Sequence, residues 1–127
     1  MSNPLALITG ASSGIGADLA RVFASHNYDL VITARRVDRL EALADELSEQ
    51  VTVTVVAADL AKARGAASLF QATEALERPV DVLVNNAGVM SSEPFADTGR
   101  KELTDLLNLN VRALSELTQL YLPGMID

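Results

Sequence analysis

The amino-acid sequence predicts an α/β protein built on a doubly wound parallel sheet, incomplete, with four strands in the order 3-2-1-4 and helices flanking them. Three observations carry this. Short apolar, β-branched runs alternate with stretches of helical period about a dozen residues long, the pattern of βαβ units. A glycine cluster stands where the first strand meets the first helix. Polar and turn-forming residues gather at the strands' carboxyl ends, where open α/β sheets bind ligands.

Taken in order, Leu5–Thr9 is an apolar run closed by glycine and reads as a buried strand. Residues 15–25 follow as a helix, with Ile15, Leu19, Val22 and Phe23 at helical spacing. Asp29–Ala34 is a second strand, and 37–48 a helix with Val37, Leu40, Leu43, Ala44 and Leu47 on one stripe. Residues 51–57 form the third strand. The helix over 61–77 has Leu69, Phe70 and Leu76 as core candidates, and Pro79 is expected to stop it. Residues 80–85 are the fourth strand. A final helix runs over 98–122, with Leu103, Leu107, Leu114, Leu117 and Tyr121 on one face and Pro123-Gly124 as its end. Right-handed crossovers give the doubly wound order. No repeat, low-complexity tract or linker divides residues 1–127, so one domain is expected.

Composition sets the outer bounds. The chain has 127 residues, 49% hydrophobic and 21% charged, enough for one sizeable core. Without cysteine there is no disulfide scaffold or thiolate metal site, and the lone His26 excludes a multi-histidine centre. No metal site is expected. The net charge of -7 argues against nucleic acid or an anionic membrane as partner. Residues 1–36 nevertheless carry a net +1 and the remainder -8, which suits a local phosphate site on an acidic protein. No basic n-region or spanning apolar stretch is visible, so a cytoplasmic protein is expected.

Thr9-Gly10-Ala11-Ser12-Ser13-Gly14-Ile15-Gly16 lies at a strand–turn–helix junction. Glycines allow the tight turn and bring backbone N–H groups close to a pyrophosphate, and the helix start adds partial positive charge. The competing readings are a plain glycine turn, a P-loop and a nucleophile elbow. A P-loop needs Gly-Lys-Ser/Thr, whereas Gly16 is followed by Ala17-Asp18. Gly10-Ala11-Ser12-Ser13-Gly14 matches Gly-x-Ser-x-Gly, but a hydrolase needs a histidine far downstream and His26 ends the very next helix.

Arg35 and Arg36 follow the second strand, where dinucleotide folds meet the adenosine ribose. Two guanidiniums and no acid suit a 2′-phosphate; the alternative is a basic helix entry. Asp59 closes the third strand, to contact an adenine amine or to cap the turn at Ala61. Asn85-Asn86-Ala87-Gly88 ends the fourth strand as a turn or a ligand wall. Asn110 puts an amide on the apolar stripe of the last helix, either to satisfy backbone groups at a kink or to serve a site.

In this order, Thr9-Gly10-x-x-x-Gly14-Ile15-Gly16, Asp59-Leu60, Asn85-Asn86-Ala87-Gly88 and Asn110-Val111 resemble the short-chain dehydrogenase/reductase family along the whole chain. The glycine spacing differs from the Gly-x-x-Gly-x-x-Gly of its extended branch. The resemblance implies a Rossmann-type fold and hydride transfer between a nicotinamide cofactor and an alcohol or carbonyl. By that likeness Gly10, Ser12, Ser13, Gly14, Ile15 and Gly16 wrap the pyrophosphate side. Asp59 and Leu60 border adenine, and Asn86, Ala87 and Gly88 line the nicotinamide-side ribose. Asn110 is the family's catalytic asparagine, supporting a proton-relay water. Arg35 and Arg36 imply NADP(H) in preference to NAD(H), which stays possible.

The family's catalytic serine and Tyr-x-x-x-Lys lie beyond this asparagine, and the sequence closes at Met125-Ile126-Asp127 before either. Tyr121 is followed four residues on by Met125, not lysine. The expectation is therefore the cofactor-binding part of an NADP-dependent oxidoreductase, truncated before a fifth strand and inactive alone. The alternative is a non-catalytic dinucleotide-binding or self-associating half-module. With 80–85 as a sheet edge and the last helix short of partners, a homo-oligomer is expected, and family members commonly pair through this helix.

Overall fold

The computed structural model describes residues 2–126. β1 (Leu5–Thr9), α1 (Gly14–Ser25), β2 (Asp29–Ala34), α2 (Val37–Leu47), β3 (Val53–Ala57), α3 (Gly65–Glu74) and β4 (Val82–Val84) alternate along the chain. A 3-10 turn at Phe95–Asp97 leads into α4 (Arg100–Leu107), a π-helical turn (Asn108–Ala113) and α5 (Leu114–Ile126). The strands form one parallel sheet in the order β3-β2-β1-β4, an incomplete Rossmann-like sheet as expected. None of the described helices is long and apolar enough to cross a membrane.

The period of two along each strand feeds two cores. Ala6, Ile8, Leu30 and Ile32 face α1 and α2, meeting Ala17, Ala20, Leu40, Leu43 and Leu47. Leu5, Leu7 and Val31 face the other way, against Leu69 of α3 and Ala113, Leu117 and Tyr121 of the last helical segment. Both faces of β1 and β2 are covered, hence their near-continuous apolar sequences.

Several element details differ from expectation. Ile15 and Val22 are 72% and 54% exposed; the buried stripe of α1 is Gly16, Ala17, Ala20 and Ala24. Small residues let the helix lie close on the sheet, which apolar spacing alone does not reveal. β3 begins at Val53 because Thr52 gives its N–H to the Asp29 carboxylate, 3.0 Å, instead of a ladder. β4 is shorter than residues 80–85: the Leu5 N–H goes to the Asp81 side chain, 2.8 Å.

α3 begins at Gly65, not at 61. Residues 61–64 are taken up by turns, with Lys62 N–H bonded to Asp59 O and Gly65 N–H to Lys62 O. α3 also ends at Glu74 rather than at 77, before Pro79 could act as a stop, and Glu77 takes a left-handed φ of 56°. At the other terminus Pro123 lies inside α5, which continues to Ile126. Pro123 is exposed, and having no N–H it leaves the carbonyl of Gln119 without its helical partner.

The π turn changes which residues of the last helical segment are buried. An extra residue per turn rotates the stripe. Leu107 and Leu114 end up 48% and 42% exposed, while Ala113, Leu117 and Tyr121 are buried. Tyr121 packs edge-on against Phe70 at 5.1 Å, and its hydroxyl shares a 2.6 Å hydrogen bond with Thr73. Burial raises the acid–base midpoint of that phenol.

Below the sheet, Asp29 is a buried hub. Its carboxylate accepts from Asn3 Nδ2 at 3.1 Å, Thr52 N at 3.0 Å and Arg78 Nη1 at 2.8 Å, and Arg78 also donates to Asn3 O. This clamp ties the start of β2 to the segments preceding β1, β3 and β4.

Candidate functional site

The site lies at the opposite, carboxyl ends of the strands. There Thr9, the last residue of β1, knits three segments. Its Oγ1 donates to Val84 O and accepts from the N–H groups of Asn86 and Ala87, at 3.0 and 2.9 Å. Sequence reading placed Thr9 in the motif without giving it this task; a hydroxyl closing an otherwise apolar strand was the available signal.

Gly10 and Gly14 hold left-handed φ values of 64° and 59°, which favour glycine. Gly10 has a second constraint, because a Cβ there would sit 2.9 Å from Ala87 Cα. A Cβ on Gly16 would come within 2.3 Å of Gly10 O and 2.5 Å of the Asn86 amide nitrogen. The glycine turn, the first turn of α1 and the end of β4 are thus pressed together, and Asn86 Nδ2 donates to Gly10 O at 3.1 Å to hold them. A Cβ on Gly14 would meet nothing within 4 Å, so its backbone faces open space.

Between this cradle, the ends of β2 and β3 and the flank of α4 opens a cleft of about 660 Å³, within the usual range for small-molecule sites. Of the residues singled out from sequence, Gly10, Ser12, Ser13, Arg35, Arg36, Asp59, Leu60, Ala87 and Gly88 line it. Gly14, Ile15, Gly16, Asn86 and Asn110 do not; Gly14, Ile15 and Gly16 form the first turn of α1, and Asn86 braces the cradle.

Asn110 sits in the π turn, behind the β4 loop. Its Oδ1 accepts from Val89 N at 2.8 Å and its Nδ2 donates to Val89 O at 2.6 Å. Both ends of the amide therefore pin the residue after Gly88. Asp59 Oδ1 accepts from Ala61 N at 3.0 Å, so the capping role is realised by one oxygen while the residue lines the cleft.

The cleft is more cationic than the sequence motifs suggest. Arg39, Lys62 and Lys101 join Arg35 and Arg36 along its walls, with Asp59 and Asp105 as the acids. Lys101 and Asp105 form a 2.7 Å pair on α4. That hydrogen bond, and next burial acting the other way, set the Asp105 carboxyl; the charges of Lys101, Lys62 and Arg35 help hold it below its ordinary value. Among the described residues, Arg35, Arg36, Arg39 and Lys62 have no ion-pair partner. A cluster of unpaired cations beside a glycine cradle is suited to a ligand with several phosphates. Lys101 was hidden in the sequence because folding alone brings α4 opposite the end of β3, where Lys62 lies. Arg39, one helical turn past Arg36, was nearer to hand.

The family described as short chain dehydrogenase matches residues 4–127. A very-long-chain 3-oxoacyl-CoA reductase of Phaeosphaeria nodorum is 36% identical over 130 residues, covering 96% of this chain and 38% of that protein. The crystal structure of L-sorbose reductase from Gluconobacter frateurii, complexed with NADPH and L-sorbose, superposes with a TM-score of 0.91 at 36% identity; the match covers 98% of this chain and 48% of that one. A short-chain dehydrogenase from Sphingobium yanoikuyae in complex with NADPH gives 0.90 at 38% identity, covering 97% and 49%. The chain spans less than half the length of each of these relatives.

Proposed function

The chain belongs to the short-chain dehydrogenase family, and from that premise we propose that its cleft is the NADP(H) site of an oxidoreductase acting on an alcohol or carbonyl. The observation that carries this reading is the pair of unpaired guanidiniums, Arg35 and Arg36, in the same cleft as the glycine cradle. When bound, the nicotinamide supplies or accepts the hydride. The chain's own residues bind and orient. The backbone from Gly10 to Gly16 and the hydroxyls of Ser12 and Ser13 face the pyrophosphate, helped by the start of α1. Arg35 and Arg36 take the 2′-phosphate. Asp59 and Leu60 border adenine, and Ala87 and Gly88 form the wall at the nicotinamide-side ribose, with Asn86 bracing it through Gly10.

In this reading Asn110 is the family's catalytic asparagine, supporting a proton-relay water. It also holds Val89, and through it Gly88, in place. Tyr121 takes no part, because its hydroxyl is buried against Thr73. Titration of the chain with NADPH and NADH by calorimetry tests the proposal. Tighter binding of NADPH is expected, and equal affinities or no binding of either would sink it.

We also propose that the chain self-associates. Val111, Leu114 and Leu122 are 57%, 42% and 46% exposed along the last helical segment, and among the described residues β4 pairs with β1 on one side only. Light scattering at micromolar concentration is expected to show a dimer or larger, and a clean monomer contradicts it.

A further inference from the structure

Thr9 and Thr33 are register partners across β1 and β2. Alternation puts both on the face of Leu7 and Val31, towards the layer of α3 to α5. Their hydroxyls fare differently. Thr9 Oγ1 makes three hydrogen bonds. Thr33 is 0% exposed, and its Oγ1 has no hydrogen-bond partner among the described residues. Yet Thr33 lines the cleft, together with Leu60, Ala87 and Leu109. The other orphaned side-chain oxygen among the described residues, Asn85 Oδ1, belongs to a residue outside the cleft lining.

A buried hydroxyl without a partner is destabilising, and valine would fill nearly the same space without that penalty. A threonine at this position makes physical sense if its partner arrives with a ligand. Thr33 stands two residues before Arg35 and beside the end of β3, between the groups assigned to the 2′-phosphate and those assigned to adenine. We infer that Thr33 is a positioning residue for the adenosine part of the cofactor, its hydroxyl hydrogen-bonding the nucleoside directly or through one ordered water. This rests on the reading of the cleft as a dinucleotide site.

The test compares Thr33→Val and Thr33→Ser with the unaltered chain. Thermal midpoints are measured without ligand, and affinities for NADPH and 5′-AMP by calorimetry. In Thr33→Val the midpoint is expected to stay level or rise while both ligands bind about five- to tenfold more weakly, the worth of one neutral hydrogen bond. Thr33→Ser is expected to bind like the unaltered chain. A Thr33→Val chain with a lower midpoint, whether its affinity is unchanged or reduced in step, shows a structural hydroxyl and overturns the inference. So does unchanged affinity at any midpoint. If the unaltered chain binds neither ligand, the cleft reading itself has failed and Thr33 falls with it; if it binds both and only the Thr33→Val result is negative, the cleft reading stands alone.

Discussion

Replacing Arg35 and Arg36 together by alanine is expected to weaken NADPH binding about ten- to a hundredfold while changing NADH binding little. The two guanidiniums flank the end of β2 and, among the described residues, spend none of their donors on protein acids. A 2′-phosphate is the one feature separating the two ligands, and a charged hydrogen bond is worth about 1.5–3 kcal/mol. Both arginines are exposed. Solvent therefore screens them, the effect belongs at the lower end of the additive total, and it shrinks as salt is raised. Arg39 in the same cleft retains part of the attraction, so single substitutions fall short of half the double loss. Lysines restore charge without the planar fork and recover only part. Titrating both cofactors against the double variant settles it: an unchanged NADPH-to-NADH ratio means the arginines do not read the phosphate.

Asp29→Ala is expected to lower stability by about 2–4 kcal/mol, a fall of the order of 10 °C in thermal midpoint, without touching the cleft. The loss comes from a partly buried Arg78 without its acid, an unpaired Thr52 N–H and a released Asn3. Burial alone would push the Asp29 carboxyl up. The hydrogen bonds from Arg78, Asn3 and Thr52, with the guanidinium charge, outweigh it and hold the group below its ordinary 3.8. A carboxyl depressed by folding contributes stability that is fully present above the unfolded value and is lost as pH falls through the folded one. Unaltered chain should therefore lose stability as the pH falls below about 4, and Asp29→Asn should show a flatter acid limb from a lower plateau. Urea unfolding at neutral and acidic pH measures both, and parallel acid limbs would refute the assignment to Asp29.

The alternation of strands and helices and the glycine turn could be read before folding because each rests on local chemistry. Alternation along β1 separates Leu5 and Leu7 from Ala6 and Ile8, and the structure delivers them to opposite cores. Gly10 and Gly14 stood out because few other residues adopt their positive φ. Sequence-level signals misplaced features whose cause is remote. The stop of α3 was assigned to Pro79, whereas the helix ends at Glu74. Ile15 and Val22 fit a helical period but lie on the outer side of a stripe chosen by the close approach of α1 to the sheet.

By itself, then, the sequence determined the alternation of elements, the two-faced sheet and a glycine–arginine cluster at its carboxyl edge. The first two follow from neighbours within a few positions, where steric and hydrophobic rules act, and the βαβ crossover rule carries the glycine turn and the arginines to the same sheet edge. Only the tertiary structure decided three further matters. One was the π turn that exposes Leu107 and Leu114 and sets Asn110 against Val89. Another was the meeting of Lys62, Lys101 and Asp105 with the arginines. The third was the unequal fate of Thr9 and Thr33, identical residues in register on adjacent strands. The reason is common to all three. Hydrogen bonds and charges are satisfied by whatever lies within about 3–4 Å in space, and here those partners are mostly twenty to eighty residues away along the chain.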